Sequence, residues 1–202
     1  MPKIVDRDAR KVELAQAVWT VVARDGVEGA SVRAVAAEAG WTRGVIAHYF
    51  KDHDDLLLFA YRLALQRESE FIPTPQEQPD PVERLIRTLL RTLPVDEAAT
   101  LDFKIWLSFL GRIADNAELA QVILREHHAV FAVMRDLLAD CHTAGLLDPP
   151  HGVQEASEAV RIFVDGLGVA TALDPETYTR ERMETMIRRF VDAWRPRSTV
   201  ED

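Results

Sequence analysis

Apolar residues recur along this chain with the period of a helix, and nowhere does the in-out alternation of a strand persist. Leu14, Ala15, Val18, Val21 and Val22 form one stripe of a first helix over about 7–25, which stops at Asp25-Gly26. Ser31 is placed to cap a short second helix, VRAVAAEA, ended by Gly40, the residue type that most readily takes a left-handed turn. Thr42 caps a third short helix ending near Tyr49, and Asp52 a long fourth running to about Glu70. The Pro-rich stretch IPTPQEQPD (71–79) then breaks the helical run and marks a seam. Beyond it Asp80-Pro81 reads as an N-cap followed by Pro at the first helical position. Helices are expected near 81–93, 96–114, 116–144, 152–173 and 175–194, and RPRSTVED reads as a frayed tail.

Charge changes this picture locally. The net charge of −9 argues against a polyanionic partner only if it is evenly spread. Residues 1–70 carry 10 Lys/Arg against 11 Asp/Glu, while residues 71–202 carry 14 against 22. Between Glu38 and Asp52 there is no acid at all, only Arg43, His48 and Lys51. Two short helices joined by a tight Gly turn have the shape that presents a helix to the major groove of DNA. Val32, Val35, Ala36, Val45, Ile46 and Phe50 hold the pair together, and Trp41 reads as a core plug at the turn. Arg33, Thr42, Arg43, Gly44, His48 and Tyr49 are left to face outward. Arg43 suits a bidentate pair with guanine, Thr42 and Tyr49 suit phosphate, and Gly44 allows close backbone approach. The same Ala-rich pattern also suits two helices that merely pack.

The residues LAQAVWTVVARDG, SVRAVAAEAG and WTRGVIAHYFKDHDDLL decide between these readings. In the order and spacing of Gly26, Ser31, Ala36, Gly40, Thr42, Gly44, Tyr49, Phe50 and Leu56 the chain resembles the N-terminal domain of the TetR family of ligand-responsive transcriptional regulators. The resemblance implies an all-α fold: a three-helix helix-turn-helix DNA-binding domain over 1–55 and a larger helical ligand-binding and dimerisation domain over 56–202, joined by the fourth helix. It implies DNA contacts from Arg33, Thr42, Arg43, Gly44, His48, Tyr49 and Lys51. Two positions depart from the family pattern: Ala47 stands where Tyr is usual and His53 where Lys is usual. Binding would then lean on Arg7, Arg10 and Lys11, and a charged His53 would strengthen it at low pH. The segments IWLSFLGRIADNAELAQV and AVRIFVDGLGVATALDPETYTRERMETMIRRFVDAW are similar to the branch containing the choline-responsive regulator of glycine-betaine synthesis.

The helix at 152–173 is apolar on two stripes, Ala156/Val160/Phe163/Leu167 and Ala159/Ile162/Gly166/Val169/Leu173, so it must be covered on two sides. Gly166 and Gly168 permit a close neighbour. With Met183, Met186, Ile187, Phe190 and Trp194 of the last helix, this pattern fits half of a two-fold four-helix bundle. The dimer contacts are assigned to Ile162, Phe163, Gly166, Met183, Ile187 and Phe190, with an ordinary intramolecular core as the other reading. A small-molecule effector site is expected at Trp106, Phe109, His127, Phe131 and Met134, between an aromatic helix and the apolar stripe Ile123/His127/Val130/Met134/Leu137/Cys141.

Other classes find no support. His127 and Cys141 are fourteen positions apart, roughly 21 Å along a helix, so they do not chelate one ion together, and no metal or cofactor is expected. There is no phosphate-cradling Gly loop or nucleophile elbow, so no catalytic residue is assigned. One cysteine, no secretion signal and no apolar run long enough to cross a bilayer fit a cytoplasmic protein without membrane contact. The expected partners are a palindromic double-stranded operator, an effector and a second copy of the chain. The function expected is that of a homodimeric repressor released by its effector. A helical interaction protein without DNA binding is the rival.

Overall fold

The computed structural model describes residues 7–69 and 72–196, and all regular structure among them is helical. The order is α1 (Arg7–Gly29), α2 (Val32–Glu38), α3 (Arg43–Ile46), α4 (His53–Ser69), α5 (Pro81–Arg91), α6 (Glu97–Ile113), α7 (Ala117–Thr143), α8 (Gly152–Leu173) and α9 (Arg180–Asp192).

Side-chain caps set most of the starts. Ser31, Thr42, Asp80, Asp96, Asn116 and Thr179 each accept a hydrogen bond from a backbone N–H of the first turn. Two boundaries, those of α3 and α9, differ from the sequence expectation, and that of α1 meets it at a kink. α1 runs to Gly29, but Gly26 inside it takes φ 75° and ψ 174°, so the regular helix does stop there and a short turn follows. α3 is regular only to Ile46. From Ala47 to Phe50 the chain continues in tight turns, with the N–H groups of His48 and Tyr49 bonding three residues back rather than four. α9 begins at Arg180, not near 175, because Asp174 closes a turn by accepting from the Thr177 N–H before Thr179 caps the helix. The Glu70–Phe71 junction and the 197–202 tail lie outside the described residues.

Two cores carry the fold. The first gathers the predicted α1 stripe, Val35 and Ala36 of α2, Ile46, the inner face of α4, then Ile105, Trp106 and Phe109 of α6 with Leu119 and Ile123 of α7. The second joins α5, the C-terminal half of α7, α8 and α9 around Leu85, Leu89, Leu138, Val160 and Ile187. α4 packs on both α1 and α6, so it belongs to the reading head and to the larger helical body at once. Gly168 is buried and faces inward: a Cβ there would run into the Phe103 ring, so the close neighbour it admits is α6 of the same chain. Gly166 meets nothing within 4 Å.

Candidate DNA interface and effector cavity

The helix-turn-helix is closed from within. Ser31 Oγ accepts the Ala34 N–H at 3.2 Å, Thr42 Oγ1 accepts that of Val45 at 3.4 Å, and Gly40 turns the chain at φ +69°. Val35, Ala36, Ile46 and Phe50 are buried beneath. Arg33, Thr42, Arg43, Gly44, His48 and Lys51 are exposed, as is Ala47. Arg33 and Arg43 line one open cleft together with His53 and Arg112. The surface therefore offers cations and hydroxyls with no acid between residues 38 and 52 to repel a phosphate.

Four residues expected at or beside the DNA make contacts within the protein. Tyr49 is half-buried, its ring 5.9 Å from that of Trp41 and its hydroxyl 3.5 Å from Arg10 Nη1. Arg10 lies 5.0 Å over the Trp41 ring and Lys11 Nζ 5.4 Å over Phe59, so both arm cations rest on aromatic faces of the head. The Arg7 side chain lies outside the described residues. His53 turns inward: its Nε2 is buried and its Nδ1 stands 3.8 Å from Asp54 Oδ1.

The head is fastened to the body by charge as well as packing. Arg112, in the last turn of α6, donates to Asp54 in the first turn of α4 and stands 3.8 Å from Glu28 at the end of α1. Further along α4, Arg62 meets Glu126 of α7 at 2.7 Å.

On the far side of α4 lies a cavity of about 60 Å³ bounded by α4 to α8. Its rings are Tyr61, Phe103, Trp106, His127 and Phe131, and its two carboxylates are Asp102 and Asp165; no Lys or Arg side chain lines it among the described residues. Trp106 and His127 stack at 5.5 Å with planes 11° apart, Phe131 meets His127 edge-on at 5.1 Å, and Phe103 lies 5.0 Å from Trp106. The Trp106 indole N–H is buried and finds no acceptor among the described residues. His127 Nε2 is 3.5 Å from Asp165 Oδ1, whose other oxygen is 3.7 Å from Arg161 on the outer side. Burial pushes the His127 imidazole down to about 4, helped by Arg161 and His128. Burial pushes the Asp165 carboxyl up to about 6 against the pull of Arg161. Desolvation thus outweighs the attraction between these two, and at neutral pH an uncharged imidazole faces a carboxylate.

Of the five effector residues expected from sequence, the structure gathers Trp106, His127 and Phe131 around this cavity. Phe109 is completely buried, 6.4 Å from Tyr61, and fills the first core instead. Met134 lines a neighbouring cleft. Asp102, Asp165 and Tyr61 are not expected here from sequence, and Phe103, on the aromatic helix face, stands outside the expected set. A carboxylate on a mostly apolar helix face was the available signal, since Ile105 and Trp106 follow Asp102 by three and four positions and Ile162, Gly168 and Val169 flank Asp165 at the same spacing.

The α8 stripe expected to meet a second chain is open: Ile162 is 64% and Leu173 81% exposed, and Gly166 is exposed between them. Phe163 and Phe190 are half-buried and stack face to face at 4.3 Å. Met183 and Ile187 are corrected by the structure. They are fully buried against α5 and α8 in their own chain and leave no surface for another.

Comparison with known proteins agrees with this geometry. The profile of the bacterial regulatory proteins of the tetR family matches residues 15–59, and that of the BetI-type transcriptional repressor C-terminal domain matches residues 81–196. The HTH-type transcriptional regulator PksA of Bacillus subtilis (strain 168) is 29% identical over 194 residues, covering 96% of this chain and 93% of its own. A transcriptional regulator from Rhodococcus sp. Rha1 superposes with a TM-score of 0.76 at 25% identity, over 91% of this chain and 95% of that one. A regulator from Saccharomonospora viridis, solved in complex with choline, shares the fold with a TM-score of 0.77 at 18% identity, over 92% and 96%. These relatives are regulators and not enzymes, and the chain belongs to the TetR family of ligand-responsive transcriptional repressors, with a BetI-type C-terminal domain.

Proposed function

We propose that two copies of this chain, paired through α8 and α9, hold a palindromic operator and release it when a cationic small molecule enters the cavity at Trp106. The observation that carries this reading is the double membership of α4. Its first turn, with Asp54 and Asp55, adjoins the recognition segment, and Tyr61, Ala64 and Leu65 two to three turns later line the cavity. A ligand that shifts the far end of α4 moves the near end with it.

DNA contact is assigned to Arg33, Thr42, Arg43, Gly44, His48 and Lys51, with Tyr49 holding Trp41 and Arg10 in place. The effector contacts are Trp106, His127 and Phe131, joined by Tyr61, Phe103, Asp102 and Asp165. Rings attract a cation through their negative faces, and the two carboxylates complement its charge. The choline-bound neighbour supports this chemistry without fixing the ligand. The dimer face is assigned to Ile162, Gly166, Phe163 and Phe190, with Ala159, Val169 and Leu173 completing it. Two-fold pairing must set the recognition segments about 34–36 Å apart to reach successive major grooves, and an effector favouring another spacing weakens DNA by the factor by which DNA weakens the effector.

The test is selection of bound duplexes from a random library, with affinity then measured at two salt concentrations and with added choline. Enrichment of a palindrome, affinity that falls steeply with salt, and release by the cation are expected. A protein that enriches no duplex, or one bound equally at both salt concentrations, ends the reading.

A further inference from the structure

We propose that the effector carries an apolar chain behind its cationic group, seated in a second cleft between α4, α5 and α7; the inference rests on the cation reading of the first cavity. This second cleft has a volume of about 270 Å³, several times that of the first. The two meet at Leu65, Thr92 and Val130, which line both and are half-buried rather than locked in a core. Beyond that neck the walls change character. The first cavity has carboxylates and stacked rings; the second has an apolar floor of Ile72, Ala129, Val133 and Met134, edged by Gln66, Ser69 and Thr88. Its charged rim is Arg62, held by Glu126 at 2.7 Å, and Arg91.

A polar pocket opening into an apolar one matches a ligand with the same order of parts. A small ion such as tetramethylammonium fills the first cavity and leaves the second untouched. A chain of methylenes behind the cation removes apolar surface from water on both ligand and cleft, and each methylene buried strengthens binding about fourfold. The class is therefore a cationic amphiphile, an alkyl ammonium or an ester of an amino alcohol, rather than a compact amine. The free indole N–H of Trp106 would bond an oxygen near the cation in such an ester.

The experiment is calorimetric titration of the full chain with tetramethyl-, butyltrimethyl-, octyltrimethyl- and decyltrimethylammonium below their micellar concentrations, with octanoate and octanol as controls. Affinity should rise about fourfold per methylene between the butyl and octyl members, and octanoate should bind at least a hundredfold more weakly than the octyl cation. Ala129→Phe adds a ring to the second cleft from an exposed position, and should flatten the series while leaving tetramethylammonium unchanged. Val133→Phe does the same from the cleft wall, and thermal melts confirm that both variants are folded. Tetramethylammonium binding with no gain along the series, or a gain unaltered in both variants, overturns the chain site and leaves the cation reading intact. Failure of every cation to bind overturns both, and octanoate binding as tightly as the octyl cation reverses the assigned charge.

Discussion

The reading head and the effector cavity handle charge in opposite ways. In the head, Arg33, Arg43, His48 and Lys51 stand in water, acids are cleared from 39–51, and the cations Arg10 and Lys11 rest on rings. In the cavity, Asp102 is only 6% exposed, Asp165 is half-buried, and the rings surround the acids. A polyanion needs a broad, solvated, positive surface whose counterions can be released. A small cation is best recognised where water is excluded and a few acceptors count for more. On the proposed reading the same chain keeps its anion-binding surface outside and its cation-binding surface inside, and α4 runs from one to the other.

The comparison can be broken most severely at Trp106. Trp106→Ala removes a side chain that is 6% exposed and stacked on His127, and should cost about 3–5 kcal/mol of stability together with effector response. Trp106→Phe keeps a ring and should recover most of the stability, as read by denaturant titration. If Trp106→Phe restores response to cations in full, the indole N–H has no part in recognition. Next in size is Arg43→Ala, which leaves the fold alone because Arg43 is exposed, and should weaken the operator by about 1–3 kcal/mol, five- to 150-fold. Unchanged affinity in that variant, at matched salt and with the dimer intact, removes Arg43 from the contact surface.

How much of each region was legible in the sequence follows from how each is assembled. The head is one run, 31–51, in which caps, glycines and buried positions lie within a few residues of one another, so Ser31, Gly40, Thr42 and Ile46 could be placed from local pattern. What failed there was long-range: Tyr49 meets Arg10, 39 positions away. The cavity is drawn from five helices, and which face of each turns inward depends on packing that no local period encodes. Trp106, His127 and Phe131 were found because large rings stand out, whereas Asp102 and Asp165 read as ordinary surface acids. Phe109, one turn from Trp106 but on the core side, shows how three residues of helical phase decide between cavity and core. The exposure of the second α8 stripe at Ile162 and Leu173 could be read from its apolar excess, yet Met183 and Ile187 have the same apolar character and are buried in their own chain's core.

A smaller effect should follow from cutting the link between the two regions. Arg112→Gln removes the charge that joins α6 to Asp54 without changing a residue assigned to DNA contact or to the effector. The pair is partly exposed, so its loss should cost no more than about 1 kcal/mol. Operator affinity without effector should change little, while the ratio of affinities with and without effector should shrink by up to about fivefold. Charge reversal at both positions, Arg112→Asp with Asp54→Arg, should restore that ratio. An unaltered ratio in Arg112→Gln would leave packing of α6 on α4 as the whole connection.

The smallest effect belongs to pH, because the two buried titrating groups oppose each other. The Asp165 carboxyl, raised from 3.8 to about 6, stabilises the folded chain when protonated; that contribution is full below 3.8 and lost as pH rises through 6. The His127 imidazole, lowered from 6.5 to about 4, stabilises it when neutral; that contribution is full above 6.5 and lost as pH falls through 4. Between pH 4 and 6 one gain offsets the other, so this pair should leave the unfolding free energy nearly level in that window, with Arg161, His128 and Asp102 as the other charges near it. Single substitutions uncover the slopes. Asp165→Asn leaves His127 alone, and stability should fall as pH is lowered from 6.5 to 4; His127→Gln leaves Asp165 alone, and stability should rise over the same range. Effector binding has no such compensation, since of this pair only the Asp165 carboxylate attracts a cation. Affinity for tetramethylammonium should therefore decline as pH drops below 6 in the parent chain and stay level in Asp165→Asn, which ties the charge of the cavity to one named atom group independently of stability.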